Sequence, residues 1–102
     1  MTFENNIKKA IEEIKLKNYS EAKEYIHFAI LEDDTSPETH NLLGIIAEFA
    51  GNLSLSGKHY RAAYALDPTF KPACNNLERI TMFSYRLNRK CIDYGENYDS
   101  IH

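Results

Sequence analysis

The feature that most constrains this chain is a 34-residue period that runs through it without gaps. The aligned pairs include Ala10 with Gly44, Asn18 with Asn52, Ala22 with Ser56, Ala29 with Ala63, Leu43 with Leu77 and Phe49 with Phe83. Small side chains fall on small ones and bulky on bulky, and a period of this length is typical of stacked structural repeats. One such repeat cannot bury its own apolar face, and the 102 residues amount to three of them.

Each period is predicted to form two helices joined by short polar turns. In the first unit, apolar residues recur at spacings of three and four over 3–16 and again over 22–30. The sequence Ser36-Pro37 is a typical helix start, because serine caps the first turn and proline fits just inside it. In the second unit, Gly51-Asn52 and Asp67-Pro68 supply the breaks at the ends of the two helices.

The second unit carries the residues that give this period a family likeness. They are Asn41-Leu42-Leu43-Gly44, Gly51-Asn52-Leu53, Tyr60, Ala63, Leu66, Asp67 and Pro68. This pattern resembles the tetratricopeptide repeat, a 34-residue helix-turn-helix unit. The resemblance implies an all-α fold, a right-handed α-solenoid built as an antiparallel helix-turn-helix array of about 2.5–3 repeats with five to six helices. An antiparallel helical bundle with accidental similarities is the alternative interpretation.

The whole chain is predicted to be a single domain of this kind. Its predicted parts are repeat 1 at about 3–36, repeat 2 at about 37–70, a third unit at about 71–94 and a loose tail at 95–102. Two helices cross closely only where side chains are small, so Ala10 is predicted to face Ala22 and Gly44 to face Ser56. The third unit departs from this pattern, since Glu78 and Lys90 stand at the corresponding positions. Two long charged side chains prevent a hairpin from closing as tightly as the first two.

The C-terminal region therefore has three interpretations. Residues 71–85 form a terminal capping helix, or Asn88 caps a sixth helix, or residues 72–94 form one long projecting helix. Asn88 aligns with the helix caps Ser20 and Ser54, which favours the second interpretation. The charged pair favours the first or the third, and an apolar stripe from Leu77 to Tyr94 at helical spacing is the basis of the third. Such a stripe, without a partner in its own chain, invites self-association. The candidate residues for self-association are Leu87, Cys91, Ile92 and Tyr94.

The sequence contains no arrangement typical of catalysis, so we expect no enzyme activity. The four histidines are His27, His40, His59 and His102. None has metal-type spacing, so neither a metal nor another cofactor is expected, and Cys74 and Cys91 are predicted to be free thiols. A net charge of −3 predicts no nucleic-acid partner, and the lack of a long apolar run predicts no membrane partner. An N-terminus without a secretory signal predicts a cytoplasmic protein.

The resemblance implies that the first helix of each unit lines a concave groove, which holds an extended peptide or a partner helix. The candidate groove residues are Asn41, Ile45, Glu48, Phe49, Asn75, Asn76, Arg79, Met82 and Phe83, with Lys8, Ile11 and Lys15 in the first unit. Asparagine donates and accepts at once, so it can bind a peptide backbone of any sequence. Ile11, Ile45 and Phe83 are equally compatible with a core between repeats.

One subclass of the family binds the C-terminal carboxylate of heat-shock chaperones through lysine, asparagine and arginine side chains. The matching positions here are Ile7, Ile11, Leu42, Pro72 and Asn76. Four of them are apolar, which disfavours that ligand. The sequence predicts a protein–protein interaction module, adaptor-like or co-chaperone-like, that binds a peptide or amphipathic helix of another protein without catalysis. The alternative is a self-assembling module that forms a homodimer through its C-terminal helix.

Overall fold

Helices account for most of residues 2–82 and 91–96, which are the residues described in this computed structural model. They are α1 (Phe3–Lys15), α2 (Tyr19–Glu32), α3 (Pro37–Phe49), α4 (Leu53–Leu66) and α5 (Lys71–Thr81). The described residues contain no strand, which confirms the all-α prediction. Within the same ranges, no helix is long and apolar enough to cross a membrane.

The 34-residue period reappears in the bounds and turns of the helices. Both α3 and α4 begin and end 34 residues after α1 and α2, and α5 begins 34 residues after α3. Lys17 follows α1 with φ of 65°, and Gly51 follows α3 with φ of 80°. The amides of Lys17 and Asn18 donate to carbonyls in the last turn of α1, and those of Gly51 and Asn52 donate to the equivalent carbonyls of α3. The two hairpins are therefore closed by the same backbone hydrogen bonds.

The turns between the two units repeat as well. Asp33 follows α2 and Asp67 follows α4, both with extended backbone. Each carboxylate accepts hydrogen bonds from the hydroxyl and the amide of the threonine two residues later. These hydrogen bonds hold the pKa of both carboxyls below the ordinary value, and the bond from the hydroxyl has the larger effect. Such turns use a local side chain in place of a helical hydrogen bond and so end the helix.

Small residues let the helices of each hairpin approach closely. Ala10 and Ala22 are fully buried in the first hairpin. In the second, the Ser56 hydroxyl donates to the Gly44 carbonyl at 2.8 Å. A Cβ atom on Gly44 would lie 2.5 Å from a carbon of the Tyr60 ring, so glycine is required at this position.

The odd-numbered helices form one layer. α3 contacts both α1 and α5, whereas α2 and α4 make no contact with each other. The main apolar core lies between this layer and the even-numbered helices, and includes Ile14, Ile26, Leu42 and Ile45.

The C-terminal region differs from the projecting-helix interpretation. α5 ends at Thr81, Met82 has extended backbone, and residues 92–94 are not helical. A single helix over 72–94 is therefore wrong. The apolar residues Ile92 and Tyr94 are not left exposed on a projecting helix, because they pack against the main core of their own chain. Residues 83–90, which include Asn88, lie outside the described ranges. A sixth helix capped by Asn88 would have to continue through residues 92–94, which are not helical, so that interpretation is also wrong.

Candidate functional site

Residues 91–96, here called the C-terminal segment, lie across all three odd-numbered helices. Ile92 and Tyr94 are half-buried against the main core, and Glu96 reaches Lys15 of α1 at the far end. We call the surface on which the segment lies, together with the adjoining surface of α1, the odd-helix face. It is formed by Ile7, Ile11, Lys15, Asn41, Asn75 and Asn76.

Two asparagines hold the backbone of Asp93 on this face. Asn76 accepts the Asp93 amide through Oδ1 at 2.8 Å and donates through Nδ2 to the Asp93 carbonyl oxygen at 2.8 Å. Asn41 donates to the same carbonyl oxygen at 3.1 Å. Both asparagine side chains are fully buried, and Asn76 Nδ2 also donates to Asn41 Oδ1 at 2.9 Å. Asn76 thus exchanges two hydrogen bonds with one residue, as a neighbouring β-strand would.

The Asp93 side chain is also bound. Asn75, which is exposed on α5, donates to one carboxylate oxygen of Asp93 at 3.0 Å. The other oxygen accepts the amide of Gly95 at 2.9 Å. Gly95 has φ of 79°, so the backbone turns here through a conformation that other residues avoid. The carboxylate therefore joins the face to the turn that follows it.

Lys15 binds the end of the segment in two ways. Its Nζ lies 2.8 Å from Glu96 Oε1 and 5.1 Å from the centroid of the Tyr94 ring. Partial burial is the main cause that raises the pKa of the Tyr94 hydroxyl above its ordinary value, and the nearby Glu96 charge adds to it. The phenol is thus neutral beneath the ammonium group, an arrangement that permits a cation–π contact.

A buried ion pair lies beside the asparagines and orients one of them. Arg79 and Glu48 form a two-pronged pair, with Arg79 Nη2 at 2.7 Å from Glu48 Oε1 and Nη1 bound to Oε2. The Tyr60 hydroxyl donates to Glu48 at 2.8 Å, and burial raises the pKa of Tyr60. Arg79 also donates to Asn76 Oδ1 at 3.2 Å. Because arginine only donates, it fixes the oxygen of Asn76 on this side and leaves Nδ2 for the Asp93 carbonyl.

The structure brings most of the predicted polar groove residues into one network. Asn41, Glu48, Asn76 and Arg79 are linked by hydrogen bonds, and Asn75 binds the same segment from the adjacent position. The predicted apolar residues are placed differently: Ile45 is fully buried in the core, Phe49 stacks on Tyr19, Met82 is half exposed, and Phe83 lies outside the described residues. Ile45 thus belongs to the core between repeats.

The predicted self-association residues do not form one exposed seam. Ile92 and Tyr94 pack within their own chain, and Cys91 is exposed with a free thiol, as Cys74 is free on α5. Leu87 lies outside the described residues. Self-association stays a prediction, without the helical seam that motivated it.

Sequence reasoning missed the occupant of the face. Gly95 and Glu96 were expected in a loose tail. A Cβ atom added to Gly95 would instead lie 3.4 Å from Phe70, and Glu96 pairs with Lys15. The available signal was the pair Asn41 and Asn76 on inward-facing helix positions, since buried amides require partners.

A cleft of about 480 Å³ lies beside the segment along α1. Phe3, Ile7, Ile11 and Phe70 provide its apolar lining, and charged residues such as Lys8 also border it. The odd-helix face is therefore only partly covered by residues 91–96.

Comparison with known proteins adds no assignment. Neither a protein-family model, nor a curated protein, nor a solved structure matches the chain. Among residues 2–82 and 91–96, no group of three or more histidine, cysteine, aspartate or glutamate side chains is placed to hold a metal ion.

Proposed function

We propose that the chain is a protein-interaction module that binds an extended peptide of another protein on the odd-helix face, without catalysis. The observation that carries this proposal is the set of hydrogen bonds from Asn41 and Asn76 to the Asp93 backbone. These asparagines bind the amide and carbonyl of a peptide unit, which every extended segment offers. A cytoplasmic location remains the expectation from the sequence.

A tetratricopeptide-type solenoid is the architecture we propose for this module. The proposal is supported by the shared 34-residue spacing of helix bounds and by the identical hydrogen bonds at the hairpin turns. It is also supported by the contacts of α3 with both α1 and α5, while α2 and α4 do not contact each other. Layers of this kind curve toward the side on which helices touch, so the odd-helix face is the proposed concave groove.

An extended peptide fits this face better than an amphipathic helix. Within a helix, the backbone amides and carbonyls are already bonded to one another. The amide of Asp93 instead donates to Asn76, and its carbonyl accepts from both asparagines. A helical ligand would leave these buried asparagine groups without comparable partners, which is unfavourable. The proposed ligand therefore presents an open backbone.

Residues 91–96 must leave the face before a partner can bind. A segment tethered to its own binding site competes at an effective concentration on the order of millimolar, which weakens binding of any external peptide. The variant Asp93→Pro should open the face, because proline has no amide to donate to Asn76 and no carboxylate for Asn75. Asp93→Asn keeps the backbone contacts and is the matched control.

Peptide display tests the proposed function. A library of random extended peptides is selected against the full chain carrying Asp93→Pro and counter-selected against the wild-type chain. We expect enriched peptides that bind the open variant at least about tenfold more tightly than Asp93→Asn or the wild type. A selection that yields no such peptide would remove the proposal, provided circular dichroism shows that the variant remains helical.

A further inference from the structure

We propose that the odd-helix face selects partner segments with the pattern apolar–Asp–aromatic–Gly–acidic, bound in the register of residues 92–96. This inference rests on the proposed function and names the class of ligand. The partner is an acidic, aromatic, extended segment of another protein, and the chain's own residues occupy its place until it binds. Each position of the pattern follows from a contact on the face.

The aspartate position is the most strongly specified. Its backbone takes both asparagine contacts, one carboxylate oxygen accepts from Asn75, and the other accepts the Gly95 amide. A carboxylate offers only acceptors, which suits two donors that approach from different sides. The short side chain of aspartate bonds to the amide two residues on, which the longer glutamate does less well.

The glycine position is specified by the backbone. A Cβ atom on Gly95 would lie 3.4 Å from Phe70 and 3.5 Å from Pro72, which is ordinary contact distance. The φ of 79° is the obstacle, because L-residues with a side chain disfavour this region. Selection for glycine therefore arises from conformation and not from lack of space.

The positions around it are specified by apolar packing and by one lysine. The residue before the aspartate, Ile92, and the aromatic Tyr94 pack against the main core. Lys15 contacts the Tyr94 ring and the Glu96 carboxylate at once. A partner that carries both an aromatic and an acidic residue at this spacing matches the charge and the shape of this end of the face.

A partner protein is a better occupant than a second copy of this chain. A second copy would bring the same residues 91–96 and the same contacts that the chain already makes within itself. Exchange between copies thus adds no contact on the face and loses the advantage of the tether. A partner can extend beyond the pattern into the cleft beside Ile7 and Ile11 and gain apolar contacts there.

The test measures binding of a fluorescein-labelled peptide, Ser-Ile-Asp-Tyr-Gly-Glu, by fluorescence anisotropy. This peptide copies residues 91–96, with serine in place of cysteine. The receptor is the full chain with Asp93→Pro, and Asp93→Asn and the wild type are controls. Replacing the peptide glycine by alanine should weaken binding about five- to thirtyfold. Methylating the peptide's aspartate nitrogen, which removes the amide donor, should weaken it about fivefold or more.

A double-substitution cycle tests the register. Asn75→Ala in the receptor and alanine for aspartate in the peptide should each weaken binding about threefold or more. Together they should weaken it no more than the peptide change alone, because both remove the same contact. Asn75 is exposed, so its replacement does not disturb the core.

The outcomes separate the inference from the proposed function. If display peptides bind the open variant but the glycine and aspartate changes have no effect, the pattern is wrong and peptide binding stands. If neither the hexapeptide nor any display peptide binds, the proposed function itself fails. If light scattering shows a wild-type dimer that Asp93→Pro converts to a monomer, the occupant is a second copy and the partner assignment is overturned.

Discussion

Replacing Gly95 by alanine should release the C-terminal segment from the odd-helix face. Docked Gly95 has φ of 79°, and an L-residue with a side chain loses about 1–2 kcal/mol there. The new methyl group meets only ordinary contacts, the nearest to Phe70 at 3.4 Å, so backbone strain dominates. The undocked segment can relax, so the docking equilibrium constant should fall about five- to thirtyfold.

Gly51→Ala is the matched control for this prediction. Gly51 has φ of 80°, with no atom within 4 Å of a new Cβ, and it lies in the turn between α3 and α4. Alanine there should reduce the free energy of unfolding of the whole domain by a similar amount, about 1–2 kcal/mol. It should leave the docking of residues 91–96 unchanged.

Hydrogen exchange of the Asp93 amide, followed by NMR, distinguishes the two variants. This amide donates to Asn76 when the segment is docked. Its protection should fall about five- to thirtyfold in Gly95→Ala and stay at the wild-type level in Gly51→Ala, if opening is local. Unchanged protection in Gly95→Ala, or an equal fall in both variants, would refute the reasoning.

Three further predictions concern the body of the domain. Gly44→Ala should lower the free energy of unfolding by about 1–3 kcal/mol in urea denaturation, since its Cβ would lie 2.5 Å from an aromatic ring; Gly57→Ala, which meets a flexible arginine, should be neutral or stabilising by up to about 1 kcal/mol. Burial, aided by a neighbouring histidine, lowers the pKa of His59 below 6.5. The native state therefore binds fewer protons than the unfolded state, and thermal stability should fall as the pH drops below 6.5 through the lowered native pKa. His59→Gln should flatten this dependence and His27→Gln should not, whereas equal slopes would contradict the assignment. Glu48→Gln should destabilise the domain by about 3–5 kcal/mol in the same urea assay, because it leaves the buried charge of Arg79 without its carboxylate. A loss of stability below about 1 kcal/mol would show that the ion pair is not desolvated.

The repeated part of the fold was predictable because its signals are local. Periodic apolar residues and turn residues such as Gly51-Asn52 determine where helices begin and end. The close contact of Gly44 with Ser56 followed from the small size of both residues, and the structure has them hydrogen-bonded at 2.8 Å. These features depend on neighbours within one hairpin.

The C-terminal segment was not predictable because apolar spacing does not identify the partner. The stripe from Leu77 to Tyr94 has helical periodicity, but Ile92 and Tyr94 bury their side chains on the odd-helix face instead. In the 34-residue period, residues 91–94 correspond to the second helix of a repeat, but residues 92–94 are not helical, so the period does not give their placement. Tertiary packing here overrides local propensity.

The candidate site was predictable in part. Asn41 and Asn76 followed from the ability of asparagine to donate and accept at once. The pairing of Glu48 with Arg79 did not follow, because these residues are 31 positions apart and belong to different units. Their contact depends on how α3 packs beside α5, which no spacing in the sequence specifies.

One NMR titration tests most directly whether residues 91–96 occupy the same face that a partner uses. The wild-type chain, labelled with ¹⁵N, is titrated to saturation with a peptide selected on the open variant. If the peptide displaces the segment, the NMR signal of the Asp93 backbone amide should move to the chemical shift of a disordered peptide. The Asn76 side-chain amide binds Asp93 before the titration. Its signal should stay away from the chemical shift of a solvent-exposed amide, because the ligand takes over its hydrogen bonds. Saturation by the peptide with the Asp93 signal unmoved would contradict the shared site.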